Sequence, residues 1–265
     1  VIEPQSNYAL RRQATRSGAD GRAILRNLPA GLQTVSVRYG NQMASPKLFI
    51  SEDNQENREV TVRLSEISTD PQPLAERPKP LSVGAIAPEL QVREWSDGQV
   101  RKLVDLRGQV VVLEFWGAWC GPCINAIPAM QALAEKYEPR GVAFIGIHTA
   151  DGDMSMMNQL KQSHGWTIPS GLDLGSSITD GATCNAYGIS GYPNIVIVDA
   201  DGKIAFHSGT EPADREAWMS EVAELAKANG IPWPPNEQGP EDELKAAANQ
   251  LMQAMTSREI ERVLK

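Results

Sequence analysis

Three observations predict an α/β protein in which a small all-β sandwich precedes a central sheet flanked by helices, with a further helix at the C terminus. Residues 1–66 contain short runs in which apolar and polar residues alternate with period two. Residues 83–230 alternate apolar runs with segments of helical spacing, and residues 231–265 end in one stretch of helical spacing alone. Period two marks a strand with one buried face, and a spacing of three to four marks a helix with one. Strands alternating with helices imply βαβ units and a sheet covered on both sides.

The first region reads as antiparallel β-structure. After a turn at Ala19-Asp20-Gly21, Arg22 to Leu25 forms a short strand that ends at Asn27-Leu28-Pro29-Ala30-Gly31. Val35, Val37 and Tyr39 then alternate with Thr34, Ser36 and Arg38, and Val60, Val62 and Leu64 with Thr61 and Arg63. The combination Asp20-Gly21-Arg22, Leu28-Pro29-Ala30-Gly31 and Val35-Ser36-Val37-Arg38 resembles the carboxypeptidase-regulatory-like (transthyretin-like) sandwich domain. An opening strand is missing from the pattern, so the resemblance implies a sandwich cut short at its N terminus, serving as a spacer or docking module. Pro71, Pro73, Pro78 and Pro80 mark residues 67–82 as a semi-rigid linker.

The central region starts its sheet at Val110 to Phe115, an apolar run interrupted only by Glu114. Ile124, Ile127, Met130, Leu133, Ala134 and Tyr137 follow at helical spacing from Cys120. Val142 to Ile147 reads as a second strand, Met154 to His164 as a helix and Ile195 to Val198 as a third strand. Asp199-Ala200-Asp201-Gly202 then turns the chain into Lys203 to His207. Arg215 to Ala228 closes the region as a helix with Trp218, Val222 and Leu225 on one face. A second break follows at Ile231-Pro232-Trp233-Pro234-Pro235. Beyond it Leu244, Ala247, Ala248, Leu251, Met255, Ile260, Val263 and Leu264 predict an amphipathic helix. That helix packs on its own domain, pairs with a partner or continues into a further segment, and self-packing is the economical reading.

Bulk properties exclude several functions. A net charge of -8 argues against nucleic-acid binding, which needs clustered Lys and Arg. No apolar run approaches the roughly 18 residues of a membrane span. The chain opens Val1-Ile2-Glu3-Pro4, without the apolar stretch of a signal peptide; the expectation is a processed fragment, which leaves the compartment open. Three cysteines are too few for a disulfide-stapled scaffold and suit a redox or metal site.

Cys120 and Cys123 stand three apart where a strand hands over to a helix. Structural zinc would need two further ligands, and Cys184, His148, His164 and His207 show no paired spacing that would supply them. A redox pair accounts for the neighbours too. The N–H groups and dipole at a helix N terminus favour the Cys120 thiolate, the attacking species in disulfide exchange. Cys123, one turn on, can resolve the mixed disulfide, and Pro122 suits a first turn where its missing N–H costs nothing.

The run Glu114-Phe115-Trp116-Gly117-Ala118-Trp119-Cys120-Gly121-Pro122-Cys123 resembles the active-site segment of thioredoxins. Gly84 to Pro88, Leu106-Arg107-Gly108 and Ile127-Pro128 bring residues 83–228 closer to the TlpA/ResA-like thiol–disulfide oxidoreductases. The resemblance implies a thioredoxin-like sheet over 83–230, with Pro128 kinking its first long helix. It places a cis-proline at Gly191-Tyr192-Pro193, where Tyr192 backbone groups would meet an extended substrate. Trp119, Gly121 and Pro122 would complete that substrate-binding surface, while Trp116 belongs to the core. Glu114 matches the buried Asp of thioredoxins: desolvation should raise its pKa, and the acid would accept the Cys123 proton through water. The lysine that neighbours this acid in thioredoxin is replaced by Phe144, which makes the acid harder to ionise. Cys184 reads as a buried, unreactive thiol. His148 is a minor candidate for the rim of the site, and Asp151 with Asp153 only faintly resembles a calcium loop.

The resemblance further implies an extracytoplasmic, often membrane-tethered bacterial protein, acting on protein disulfides or thiols and supplied with electrons by a membrane partner. No metal and no cofactor beyond the Cys120–Cys123 disulfide is implied. Two other readings stay open. A peroxiredoxin shares the fold but needs a Thr where Gly117 stands. A redox-sensing adaptor would keep the cysteines without turnover.

Overall fold

The computed structural model describes residues 31–34, 37–39, 42–44, 47–50, 78–210, 214–232 and 241–265. The chain divides into two compact units, Val1–Gln72 and Pro73–Lys265. In the first, strands β1 (Gly31–Thr34) and β4 (Lys47–Ile50) pair antiparallel, as do β2 (Val37–Tyr39) and β3 (Gln42–Ala44). The alternation over 34–39 therefore spans a change of partner, because period two records which face is buried and not which strand lies alongside. The strands predicted over 22–25 and 60–64 lie outside the described residues.

The second unit carries a six-stranded sheet. Its strands are β5 (Val92–Trp95), β6 (Val110–Trp116), β7 (Val142–His148), β8 (Ser170–Asp173), β9 (Asn194–Val198) and β10 (Ile204–His207), in the spatial order β10-β9-β6-β7-β8-β5. β6, β7 and β8 are parallel, joined by crossovers through α1 (Gly121–Tyr137) and α2 (Met154–Ser163), whereas β9 runs antiparallel to β6. β6 is central and buried along its whole length, so its continuous apolar run follows from cover on both faces. Val112 and Trp116 face a core built with Ile127, Met130 and Tyr137 of α1, while Val111, Leu113 and Phe115 face one containing Trp95, Leu103, Tyr187 and Ile189. Tyr187 belongs to the short α3 (Ala182–Tyr187).

β5 and β8 escape a periodicity reading. They are four residues each and pair with one another at the edge of the sheet, and a Cβ at Gly171 of β8 would stand 2.5 Å from Val92 Cγ1. Their strand character comes from the partner rather than from propensity.

α4 (Arg215–Ala228) is capped by Asp214, whose Oδ1 accepts from Ala217 N–H at 2.9 Å. The terminal α5 (Glu241–Val263) packs on its own unit: Ile260 is fully buried in the core with α1, Leu251 and Ala247 pack with Val222 of α4, and the Tyr137 hydroxyl meets Ser257 Oγ at 2.6 Å. Pro78 to Ser82 run against the sheet unit as well, where Leu81 N–H donates to the Tyr187 carbonyl at 3.4 Å. Among the described residues no helix is long and apolar enough to cross a membrane.

Candidate active site

β6 ends at Trp116, and the chain turns through Gly117, Ala118 and Trp119 into α1. The turn closes with Cys120 N–H donating to the Gly117 carbonyl at 2.9 Å. Cys120 is the N-cap of α1, with extended backbone, and its Sγ accepts from Cys123 N–H at 3.2 Å. A sulfur at this position takes one of the otherwise unpaired donors of the first turn, which favours negative charge on it. Pro122 sits in that turn, and Cys123 is joined to Cys120 by a disulfide. Both residues are buried, Cys120 at 5% exposed and Cys123 at 1%, so Cys120 is the more exposed residue of the pair. Pro128 lies inside α1 on its exposed side, and the helix continues past it to Tyr137.

Glu114 shares its face of β6 with Val112 and Trp116, the side covered by α1, because successive residues alternate across a strand. It stands in register with Gly146 on one side and Ile195 on the other, and it is 1% exposed. Neither carboxyl oxygen has a hydrogen-bond partner among the described residues. Burial alone pushes this carboxyl up to about 8. Phe144, in register with Val112, lies one step back on the same face, so the strand brings no cation to the acid.

The Tyr192–Pro193 peptide bond is cis and directly precedes β9. Because Asn194 pairs with Phe115, this loop lies at the same end of the sheet as the Cys120 turn. The rings of Tyr192 and Trp119 meet edge-on at 5.6 Å and 85°. Trp119 and Tyr192 thereby form one aromatic wall beside the disulfide turn, and Pro193 and Gly121 are part-exposed near it. Trp116 is fully buried between His148, at 4.7 Å, and Trp166, at 4.3 Å.

His148 is built into the site far more firmly than its sequence position suggests. It closes β7 opposite Trp116, is 1% exposed, and its Nε2 accepts from Ala118 N–H at 2.8 Å. The signal available in the sequence was its place at the end of the strand after the cysteine motif. Cys184 lies on α3 and is 2% exposed; burial first, and the neighbouring Asp173 charge second, push its thiol well above the usual range. Asp153 caps α2 through Met156 N–H at 2.9 Å, which accounts for the acid in the loop after β7.

The chain is similar to the following known proteins. The AhpC/TSA family matches residues 83–207. The chain is 33% identical over 124 residues to thiol-disulfide oxidoreductase ResA of Bacillus anthracis, covering 47% of this chain and 68% of that one. ResA of Bacillus subtilis (strain 168) is 32% identical over 124 residues, covering 47% of this chain and 65% of that one. The solved thioredoxin domain of a thiol-disulfide oxidoreductase from Bacteroides vulgatus is 23% identical with a TM-score of 0.44, over 53% of this chain and 97% of that one.

Proposed function

The chain belongs to the ResA family of thiol-disulfide oxidoreductases, and we propose that it reduces disulfides of protein substrates through a Cys120 mixed disulfide resolved by Cys123. The observation that carries this reading is the linked pair itself: Cys120 with its sulfur capping α1, and the still more buried Cys123 a turn behind it.

In the reduced protein the Cys120 thiolate attacks one sulfur of the substrate disulfide. The substrate bond breaks, the other substrate sulfur leaves with the electron pair and takes a proton, and a mixed disulfide remains. Cys123 then gives its proton to ionised Glu114 and attacks Cys120 Sγ. The mixed bond breaks, Cys120 and Cys123 join, and the second substrate sulfur leaves as a thiolate that takes a proton from solvent. Substrate gains two electrons and the pair loses them. The reverse half-reaction uses the same acid the other way: Glu114, protonated while the disulfide is closed, hands its proton to Cys123 when a reductant opens the bond. Trp119, Tyr192 and Pro193, with Gly121 and Pro122, form the surface on which substrate lies.

The Gly121-Pro122 pair is the one thioredoxin uses, which supports a reducing direction. The family resemblance supports an extracytoplasmic protein supplied with electrons by a membrane partner. Residues 83–230 form the redox domain in this reading, and residues 1–66, joined through 67–82, act as a β-sandwich spacer or docking module. The AhpC/TSA match raises peroxide as an alternative substrate. Against it, Gly117 holds the place where a peroxidase needs a threonine.

Insulin reduction with dithiothreitol as donor tests the proposal. Cys120→Ser should abolish turnover, Cys123→Ser should accumulate the mixed disulfide, and Cys184→Ser should leave turnover intact. The potential of the pair, measured in C184S, should lie nearer the roughly −270 mV of thioredoxin than the roughly −120 mV of a strong oxidant. Insulin reduction by C120S at the wild-type rate would refute the mechanism, and absence of a reversible disulfide would favour the adaptor.

A further inference from the structure

We infer that His148 is a positioning residue for the nucleophile, holding the 117–119 turn through a single neutral tautomer; the inference rests on the reading of Cys120 as the attacking sulfur.

Two contacts fix the protonation of the ring. Ala118 N–H can only donate, and it points at Nε2 across 2.8 Å, so Nε2 carries a lone pair there. The Thr149 carbonyl can only accept, and it lies 2.9 Å from Nδ1, so Nδ1 carries the proton. The neutral Nδ1–H imidazole satisfies both contacts; the other neutral tautomer satisfies neither, and the cation sets a donor against a donor at Ala118.

The neighbouring residue completes the hold. Thr149 N–H donates to the Trp116 carbonyl at 3.0 Å, and Trp119 Nε1–H donates to Thr149 Oγ1 at 3.3 Å. His148 and Thr149 therefore tie down Trp116, Ala118 and Trp119, the residues that carry the chain from the end of β6 to Cys120. Gly152 allows the following loop to fold over the ring, since a Cβ there would run into Nδ1. The direction in which Cys120 Sγ leaves the turn is set by this tether, and a small misplacement of a reacting atom is costly in rate.

A core role and a positioning role make different demands. Packing edge-on against Trp116 asks only for volume. Holding Ala118 asks for an acceptor where Nε2 stands, which glutamine can offer and leucine cannot. The full chain in its reduced form is the material for the test. Nitrogen-15 NMR of the wild-type protein should show His148 as the Nδ1–H tautomer, with slow exchange of the Ala118 amide. In single-turnover reduction of an insulin disulfide, His148→Leu should slow the attack by roughly tenfold, the equivalent of one buried hydrogen bond, and His148→Gln should recover to within about threefold of wild type. The half-saturating substrate concentration should hardly move.

An Nε2–H or doubly protonated ring in the wild type overturns the inference, as does wild-type attack by H148L or attack by H148Q as slow as H148L. Should H148L fail to fold, the wild-type spectrum and H148Q decide. An active C120S would instead overturn the underlying mechanism, which separates the two failures.

Discussion

A Cβ on Gly117 would stand 2.8 Å from both Cε2 and Nε1 of Trp119, so the indole lies on the bare backbone of the residue two before it. Real side chains do not approach that closely, and Trp119 can keep this pose, edge-on to Tyr192, only with glycine at 117.

Substituting Gly117→Thr should therefore displace Trp119 and cost about 1–3 kcal/mol, as overpacking typically does. Denaturant unfolding measures the loss, and peroxide consumption checks the second consequence, that a threonine here creates no peroxidase. A stable, peroxide-consuming G117T would mean that the turn tolerates the side chain and that the chemistry is broader than disulfide exchange.

Glu114 predicts a pH dependence whose sign is opposite to that of an ordinary salt-bridged acid. Its folded pKa stands at about 8 against an ordinary value of 4.5, so between those values the native state keeps a proton that the unfolded chain has released. Stability of the oxidised protein should fall as pH rises through that window, by on the order of 5 kcal/mol, and level off outside it. Glu114→Gln should remove the slope, which urea unfolding from pH 5 to 8 will show. Parallel curves for the two proteins would mean that the carboxyl is not titrating as its burial demands. The same substitution should slow the Cys123 step by about a hundredfold, a typical general acid–base contribution.

Cys184 should be silent until the fold opens. The residue is 2% exposed, and burial pushes its thiol away from ionisation. With the Cys120–Cys123 disulfide closed, a thiol reagent should find nothing in the native protein and a single group after denaturation. Rapid native labelling would show instead that α3 opens locally.

Gly188 and Gly202 share a left-handed backbone, at φ 72° and 75°, yet alanine should act on them unequally. A Cβ at Gly188 would strike the Lys79 carbonyl, which is backbone, whereas at Gly202 it would meet the Arg107 guanidinium, which can swing aside. Gly188→Ala should cost about 2–5 kcal/mol and loosen residues 79–81 from the sheet unit. Gly202→Ala should cost only the conformational strain, about 1–2 kcal/mol. Thermal or chemical denaturation of the two variants checks the ranking, and equal losses would show that residues 79–81 follow Gly188 freely.

What can be read from a sequence is what is encoded locally. The cysteine pair announces itself because the end of a strand, a capping sulfur and a first-turn proline follow one another closely along the chain. The boundaries of α4 are legible because Asp214 caps it at one end. β5 and β8 are not, because four residues carry too little periodicity and their pairing partners lie some 75 residues apart, as in the register of Trp95 with Gly171. His148 escapes for the same reason: only the parallel pairing of β6 and β7 carries it from the end of one strand to the Ala118 amide, 30 positions away. The tail beyond 240 shows an apolar stripe in sequence, but its use is set by the partners, here Tyr137 on α1 and Val222 on α4.

By itself, then, the sequence determined the chemistry of the pair and the order of the elements, since capping, periodicity and turn formation act over a few residues. The tertiary structure alone decided that neither Glu114 oxygen finds a hydrogen-bond partner among the described residues, that the Ala118 amide falls to His148, and that the Trp119 ring meets Tyr192 edge-on. Desolvation, exposure and hydrogen bonding are properties of neighbours in space, and those neighbours are assigned by strand register and helix packing.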